Sequence, residues 1–323
     1  MKPSAWPSSA KPPSDAAEMT GGLYTQGTYG GLYSEGRFAL ERANIPNAAL
    51  DARVLLQYAT RRTWAELFED EAEIAAPGEI TAFNEMIARR IAHEPVALIT
   101  GSKEFWSLEF KVTSATLIPR PESEHLIERA LDVIPKNSNG RVLDLGTGTG
   151  CLLISLLKER PNMNGVGVDI SPEALEVAKS NAISHEVIQR CTFVQSDWIK
   201  KVVGEFELVL ANPPYLTEEE FESAPSEVRE HEPRIALTPG TDGLDGYRAI
   251  SAALPKVLAP GGYAVLELGI GQAQSVRTFL ESGGLDSVRT GLDLAGHERL
   301  ILGRKPISSK GLAAAKKRLE SAP

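Results

Sequence analysis

The chain has little cysteine. Its two, Cys151 and Cys191, lie forty positions apart with no C-x-x-C between them. That spacing speaks against both a disulfide framework and a thiolate metal site. The five histidines show no H-E-x-x-H spacing, so no metal is expected. Long apolar runs are also missing. None approaches the roughly 20 residues of a membrane span, and no membrane association is expected. The opening "MKPSAWPSSAKPPSDAAE" has no apolar core of the secretory kind, so the expected compartment is the cytoplasm. Positive charge is in deficit: 34 Lys and Arg stand against 43 Asp and Glu, a net charge of −9. Non-specific nucleic-acid binding needs a positive surface, so no stable nucleic-acid partner is expected.

What is present is ordinary for a soluble globular protein, 42% hydrophobic and 24% charged over 323 residues. That length suits one large domain and one small one. Residues 1–36 are rich in Pro, Ser and Gly and read as a disordered leader, with Trp6, Tyr24, Tyr29 and Tyr33 incidental to it. Residues 37–95 have a helical period. Asn47 is a candidate N-cap, and Ile80, Phe83, Ile87 and Ile91 share one face. Residues 96–121 read as a β-hairpin linker, because Leu108, Phe110 and Val112 alternate with Glu109 and Lys111. From 122 to 304 strands alternate with helices, the pattern of a doubly wound, Rossmann-like α/β domain with a mostly parallel sheet. Strands are expected at 141–145, 165–169, 191–194, 208–211 and 263–268, with two more near 287–290 and 299–302. Residues 305–323 form a basic tail.

"RVLDLGTGTGCLLISLL" runs a strand through Gly146-Thr147-Gly148-Thr149-Gly150 into a helix. A dinucleotide site would require G-x-G-x-x-G, but the third glycine falls one residue early. Asp169 ends the next strand, 19 residues after Gly150, where a carboxylate can accept from both ribose hydroxyls. An adenosine-bearing cofactor without a pyrophosphate fits this pattern, and S-adenosylmethionine is the obvious one. Asp197 and Trp198 end the third strand, where they suit an adenine amino group and an adenine face.

"FELVLANPPYLTEEE" ends a buried strand with Asn212, Pro213, Pro214 and Tyr215. Two prolines cannot extend a strand ladder. They can hold the Asn212 side-chain oxygen and the Pro213 carbonyl on one incoming NH₂ group, with Tyr215 as a flat wall beside it. Such a pair of acceptors suits a conjugated, weakly nucleophilic nitrogen. These residues are the expected catalytic group, and orientation is their lever.

The chain resembles the HemK/PrmC-type protein N5-glutamine methyltransferases over roughly residues 38–304. Besides the motifs above, "IPNAALDARVLL", "EPVALITGSKEFWSLEFKV", "LIPRPESEHLIE", "HEPRIAL", "DGLDGYRAI" and "DLAGHERLILGR" carry the likeness. The resemblance implies a class I methyltransferase fold with a seven-stranded sheet, preceded by a helical substrate-recognition domain. It places S-adenosylmethionine on Gly146 to Gly150, Asp169, Trp198 and Asn212. It places the substrate glutamine on Asn212 to Tyr215; Phe105 and Trp106 are either part of the same substrate wall or hairpin core. The implied substrate is the glutamine of the Gly-Gly-Gln tip of class 1 release factors; separately, a monomer is expected. Two positions depart from the family pattern: Glu207 stands where Asp is usual and Ser123 where Thr is usual. Neither is expected to touch the chemistry. Arg120 and Glu122 are expected either to order a lid or to form an ion pair. The residues alone leave open a ribosomal-protein glutamine, a nucleic-acid adenine, or a non-catalytic module that has kept the fold.

Overall fold

A computed structural model describes residues 25–293 and 295–307. The first 24 residues of the expected leader, with Trp6 and Tyr24, and the tail from residue 308 lie outside the described residues. The chain divides into two compact units between Thr100 and Gly101.

The first unit is helical: α1 (Tyr29–Arg42), α2 (Ala48–Thr60), α3 (Trp64–Glu69), α4 (Pro77–Ile91) and α5 (Val96–Thr100). Helix α1 begins inside the segment expected to be a disordered leader, and the leader's boundary is corrected accordingly. Its start is set by the Thr28 side chain, which accepts from the Gly31 amide at 3.2 Å. Three glycines make α1 a poor helix by propensity, so packing must hold it. Tyr29 and Leu32 are buried, and the Tyr29 hydroxyl donates to Glu79 at 3.0 Å. Tyr33 meets Trp64 edge to face at 4.9 Å. Gly36 is where the helix crosses Phe83: a Cβ there would lie 2.5 Å from the ring.

Two smaller expectations also change. Asn47 precedes α2 but makes no side-chain cap bond. In α4, Phe83 and Ile87 are buried while Ile91 is 40% exposed. Between α2 and α4 runs a buried ion pair, Arg90 to Asp51 at 2.7 Å.

The second unit opens with strands β1 (Ser102–Phe105) and β2 (Leu108–Lys111). Trp106 and Ser107 turn them with φ of 55° and 57°, as a tight two-residue hairpin requires. The Trp106 amide donates to Glu124 at 2.8 Å. This hairpin is not a linker. Phe105 and Phe110 are 1% and 0% exposed and pack with Leu126, Ile127 and Leu153 in this unit's core.

The remaining elements are α6 (Glu124–Val133), β3 (Arg141–Leu145), α7 (Cys151–Glu159), β4 (Asn164–Asp169), α8 (Pro172–Ser184), β5 (Cys191–Gln195), β6 (Phe206–Ala211), α9 (Glu218–Ser223), α10 (Ser226–His231), α11 (Asp245–Val257), β7 (Leu258–Glu267), α12 (Ala273–Ser282), β8 (Asp286–Leu292) and β9 (Glu298–Arg304). Strands β3 to β9 form one seven-stranded sheet in the order β5-β4-β3-β6-β7-β9-β8. Pairings among β3 to β7 are parallel, and those of β9 with β7 and β8 are antiparallel.

Both faces of this sheet are covered. Leu143, Leu145, Val209 and Ala211 point to one core, and Val142, Leu208 and Leu210 to the other. That is why the central strands read as continuous apolar runs. The chain winds outward from β3 through β4 to β5, then returns to β6 on the other side of β3. The carboxyl ends of β3 and β6 therefore border a topological switch point, where open α/β sheets bind ligands.

Candidate active site

A cavity of about 710 Å³ opens at that switch point. Its floor is the glycine loop after β3. Gly146 and Gly148 have φ of 72° and 52°, which glycine alone adopts freely, and a Cβ on Gly146 would meet nothing within 4 Å. Open space over an exposed backbone is what a bound ligand needs there. Gly150 serves packing instead, since a Cβ on it would lie 3.0 Å from Ile154 and 3.3 Å from Ala178. From α8, the Asn181 amide donates to the Thr149 carbonyl at 2.9 Å and bonds both backbone groups of Lys111. One buried side chain thus ties the loop to the hairpin.

Asp169 ends β4 facing the loop. One carboxylate oxygen accepts from the Gly148 amide at 2.9 Å and the other from the Ser171 amide at 3.0 Å. Trp198 lines the cavity with φ of 48°, a left-handed conformation uncommon for a bulky residue. Asp197 lines the rim, exposed, with one oxygen held by Lys200 at 2.6 Å.

At the end of β6, Asn212 and Pro214 line the same cavity. The Asn212 Nδ2 donates to Ser123 Oγ at 3.1 Å. Among the described residues no donor reaches Asn212 Oδ1 or the Pro213 carbonyl; Asn212 lines the cavity, whereas Pro213 is buried and does not. Ser123 Oγ in turn donates to Glu267 Oε2 at 2.5 Å. The other oxygen of Glu267 receives the Tyr215 hydroxyl at 3.3 Å, with Arg299 at 3.9 Å.

The "DGLDGY" segment makes room for this corner. A Cβ at Gly243 would lie 2.3 Å from the Tyr215 carbonyl, and one at Gly246 would lie 3.3 Å from Pro213. Gln272 then donates to the Tyr215 carbonyl at 2.9 Å.

Four expectations are corrected by this geometry. Phe105 is core and cannot touch a substrate, because hairpin packing buries it fully. Tyr215 does not line the cavity as a wall. Its hydroxyl is held by Glu267, and Arg299 lies over its ring at 5.7 Å. Burial and the nearby Glu267 charge push its pKa up to about 12, so it stays a neutral donor. Ser123, expected to be remote from the chemistry, bonds Asn212 directly. Arg120 pairs with Glu232 at 2.5 Å rather than with Glu122, and Glu232 also accepts from the Ile118 amide at 3.0 Å.

Glu267, Asn181 and Asp144 were not singled out from the sequence. For Glu267 a signal existed: it is a charge at the end of the apolar run "YAVLEL". Such a charge in a core strand needs partners.

Asp144, in β3, is 1% exposed. Its Oδ2 accepts from the Thr147 hydroxyl at 2.6 Å, and its Oδ1 has no hydrogen-bond partner. Burial pushes its pKa up to about 7, opposed by the Thr147 hydroxyl and reinforced by the Asp169 charge. The unfolded chain releases this proton near ~3.9, the folded chain only near 7. Between those values the folded state holds the extra proton. This group's contribution to stability is therefore full below about pH 4 and is lost as pH rises toward 7. Asp144→Asn should flatten that slope by an amount on the order of 4 kcal/mol over the whole interval. Urea unfolding of both proteins from pH 5 to 8 checks this. Parallel curves would mean Asp144 titrates normally.

The fold and the site together define a class I S-adenosylmethionine-dependent methyltransferase. The residues fit that cofactor, with an unobstructed glycine backbone, a carboxylate ending β4 and an indole lining the cavity. Comparison with known proteins narrows the class. Residues 126–228 match the methyltransferase small domain, and residues 32–101 match the PrmC N-terminal domain. The release factor glutamine methyltransferase of Cereibacter sphaeroides is 43% identical over 267 residues, covering 83% of this chain and 95% of its own. That of Bradyrhizobium diazoefficiens is 40% identical over 270 residues, covering 82% and 91%. The chain belongs to the release factor glutamine methyltransferase family. Among solved structures, the hMettl16 catalytic domain in complex with MAT2A 3'UTR hairpin 6 has a TM-score of 0.51 at 16% identity, over 70% of this chain and 83% of that one. That likeness is one of fold alone. No helix among the described residues is long and apolar enough to cross a membrane.

Proposed function

We propose that this protein methylates the side-chain amide nitrogen, N5, of the glutamine in the Gly-Gly-Gln tip of class 1 peptide chain release factors. The observation that carries the proposal is the corner after β6. Asn212 lines the cavity with its Oδ1 unpartnered among the described residues, and we take the unpartnered carbonyl of the adjacent Pro213 as the second acceptor. Membership of the family, and the activity for which its relatives are named, support the release factor as substrate. We assign the grip on that protein to the helical unit, and read the enzyme as a cytoplasmic monomer with no stable nucleic-acid partner.

S-adenosylmethionine supplies an electrophilic methyl group on a sulfonium. Asp169 and the Gly146 to Gly150 backbone hold the cofactor, and Trp198 packs at its adenine with Asp197 at the rim. An amide nitrogen is a poor nucleophile because its lone pair is delocalised into the carbonyl. Two acceptors on its two N–H bonds orient that lone pair and draw electron density toward nitrogen. Orientation of this kind is worth roughly 7–11 kcal/mol when the geometry is good. Pro213 and Pro214 keep the corner rigid. Tyr215 braces it from behind through Glu267.

Incubation with labelled S-adenosylmethionine and a purified release factor tests the proposal, beside a release factor whose Gly-Gly-Gln glutamine is alanine. A gain of one methyl on the first and none on the second is expected. Equal labelling of both would move the site. Labelling of neither, with cofactor bound, would move the substrate to a ribosomal-protein glutamine or to a nucleic acid.

A further inference from the structure

An asparagine side chain is nearly symmetric in shape. Either its oxygen or its nitrogen could face the cavity, and the two faces have opposite chemistry. Only the oxygen accepts from a substrate N–H. Something must therefore choose the face, and the chain Asn212–Ser123–Glu267 does so.

Glu267 is 1% exposed at the end of β7. Its oxygens face the hydroxyls of Ser123 and Tyr215 and the guanidinium of Arg299. Burial raises the pKa of Glu267, opposed by the Ser123 hydroxyl, the Arg299 charge and the Tyr215 hydroxyl; with Ser123 and Tyr215 both donating to it, Glu267 acts as an acceptor. The single Ser123 proton is therefore committed to Glu267, in a charge-assisted bond of 2.5 Å. Only lone pairs of Ser123 remain for Asn212. Asn212 must then present its NH₂ to Ser123, as the 3.1 Å contact shows, and turn Oδ1 to the cavity.

We propose that Ser123 and Glu267 are positioning residues, which set the amide orientation of Asn212 by controlling the direction of one hydroxyl proton. Neither need touch the reacting atoms. The inference rests on the function proposed above for its turnover assay, but it also has a readout that needs no substrate.

Four variants test it: Ser123→Ala, Ser123→Thr, Glu267→Gln and the double variant Ser123→Ala with Glu267→Gln. Ser123→Ala should lower kcat about 10- to 100-fold, the scale of a misaligned reacting group. Its cofactor Kd should stay near the parent value, while its unfolding midpoint should fall because buried Glu267 loses a donor. Ser123→Thr keeps the hydroxyl and should restore most of kcat. Glu267→Gln can donate to Ser123, freeing its proton for the Asn212 oxygen and permitting the flip, so it should resemble Ser123→Ala. The double variant should be no worse than the poorer single one, because the two act as a unit.

Without substrate, the Asn212 side-chain NH₂ resonances report the orientation, assigned by comparison with Asn212→Asp. They should show one slowly exchanging environment in the parent and in Ser123→Thr, and lose that protection in Ser123→Ala.

Parent-like turnover and unchanged resonances in Ser123→Ala would overturn the inference. So would Ser123→Thr failing as badly as Ser123→Ala, or turnover losses that weaker cofactor binding accounts for. If the parent itself methylates no release factor, the proposed substrate fails, and the resonances still decide the orientation.

Discussion

Asn212→Ala is expected to lower turnover by roughly two to three orders of magnitude, the effect of removing one well-placed hydrogen-bonding group from a reacting centre. The cofactor Kd should move little. Asp169 and the glycine loop do not depend on Asn212, whose side-chain NH₂ bonds Ser123 instead. The fold should also survive, because Ser123 keeps Glu267 as its acceptor and Tyr215 keeps its own bond to the same carboxylate. Single-turnover methyl transfer and calorimetric cofactor binding separate the two quantities. If turnover is unchanged, the corner after β6 does not orient the nitrogen, and its two prolines only end a strand.

Asp169→Ala should show the opposite split. Its two oxygens accept from Gly148 on the loop and from Ser171 at the start of α8. Removing them deprives the ribose of its acceptor and leaves two backbone amides facing the cavity without one. Hydrogen bonds to charged groups contribute about 1.5–3 kcal/mol each, so cofactor affinity should drop by about two orders of magnitude. At saturating cofactor, kcat should change far less. Asp169→Asn keeps one acceptor and should fall between. A Kd unchanged in Asp169→Ala would remove the ribose assignment while leaving the corner intact.

The strands and the cofactor loop were legible because the physics behind them is local. A continuous apolar run such as "LVLA" suits a strand covered on both faces, and a glycine loop joined to a helix needs no distant partner to be recognised. The corner of Asn212 to Tyr215 was legible for the same reason, since two adjacent prolines must end a strand. Helix α1 was not. Its glycines predict disorder by propensity, and only the Phe83 ring packed over Gly36 reveals why glycine belongs there. Phe105 and Tyr215 misled in a related way. An aromatic residue near a motif invites a ligand, and what each ring packs against is a tertiary fact.

Residue order was enough for the fold class and for picking out the glycine loop, Asp169 and Asn212, which line one cavity. Which way those residues point was settled by packing. Ser123 and Glu267 are 144 positions apart and meet only because helix α6, which Ser123 precedes, packs against β7. The buried carboxylate of Asp144, the hairpin tied to the loop by Asn181, and the face that Asn212 shows the cavity are long-range in the same sense. Local pattern encodes which chemical groups a chain carries. The direction of a hydrogen bond depends on partners that the sheet brings together from distant parts of that chain.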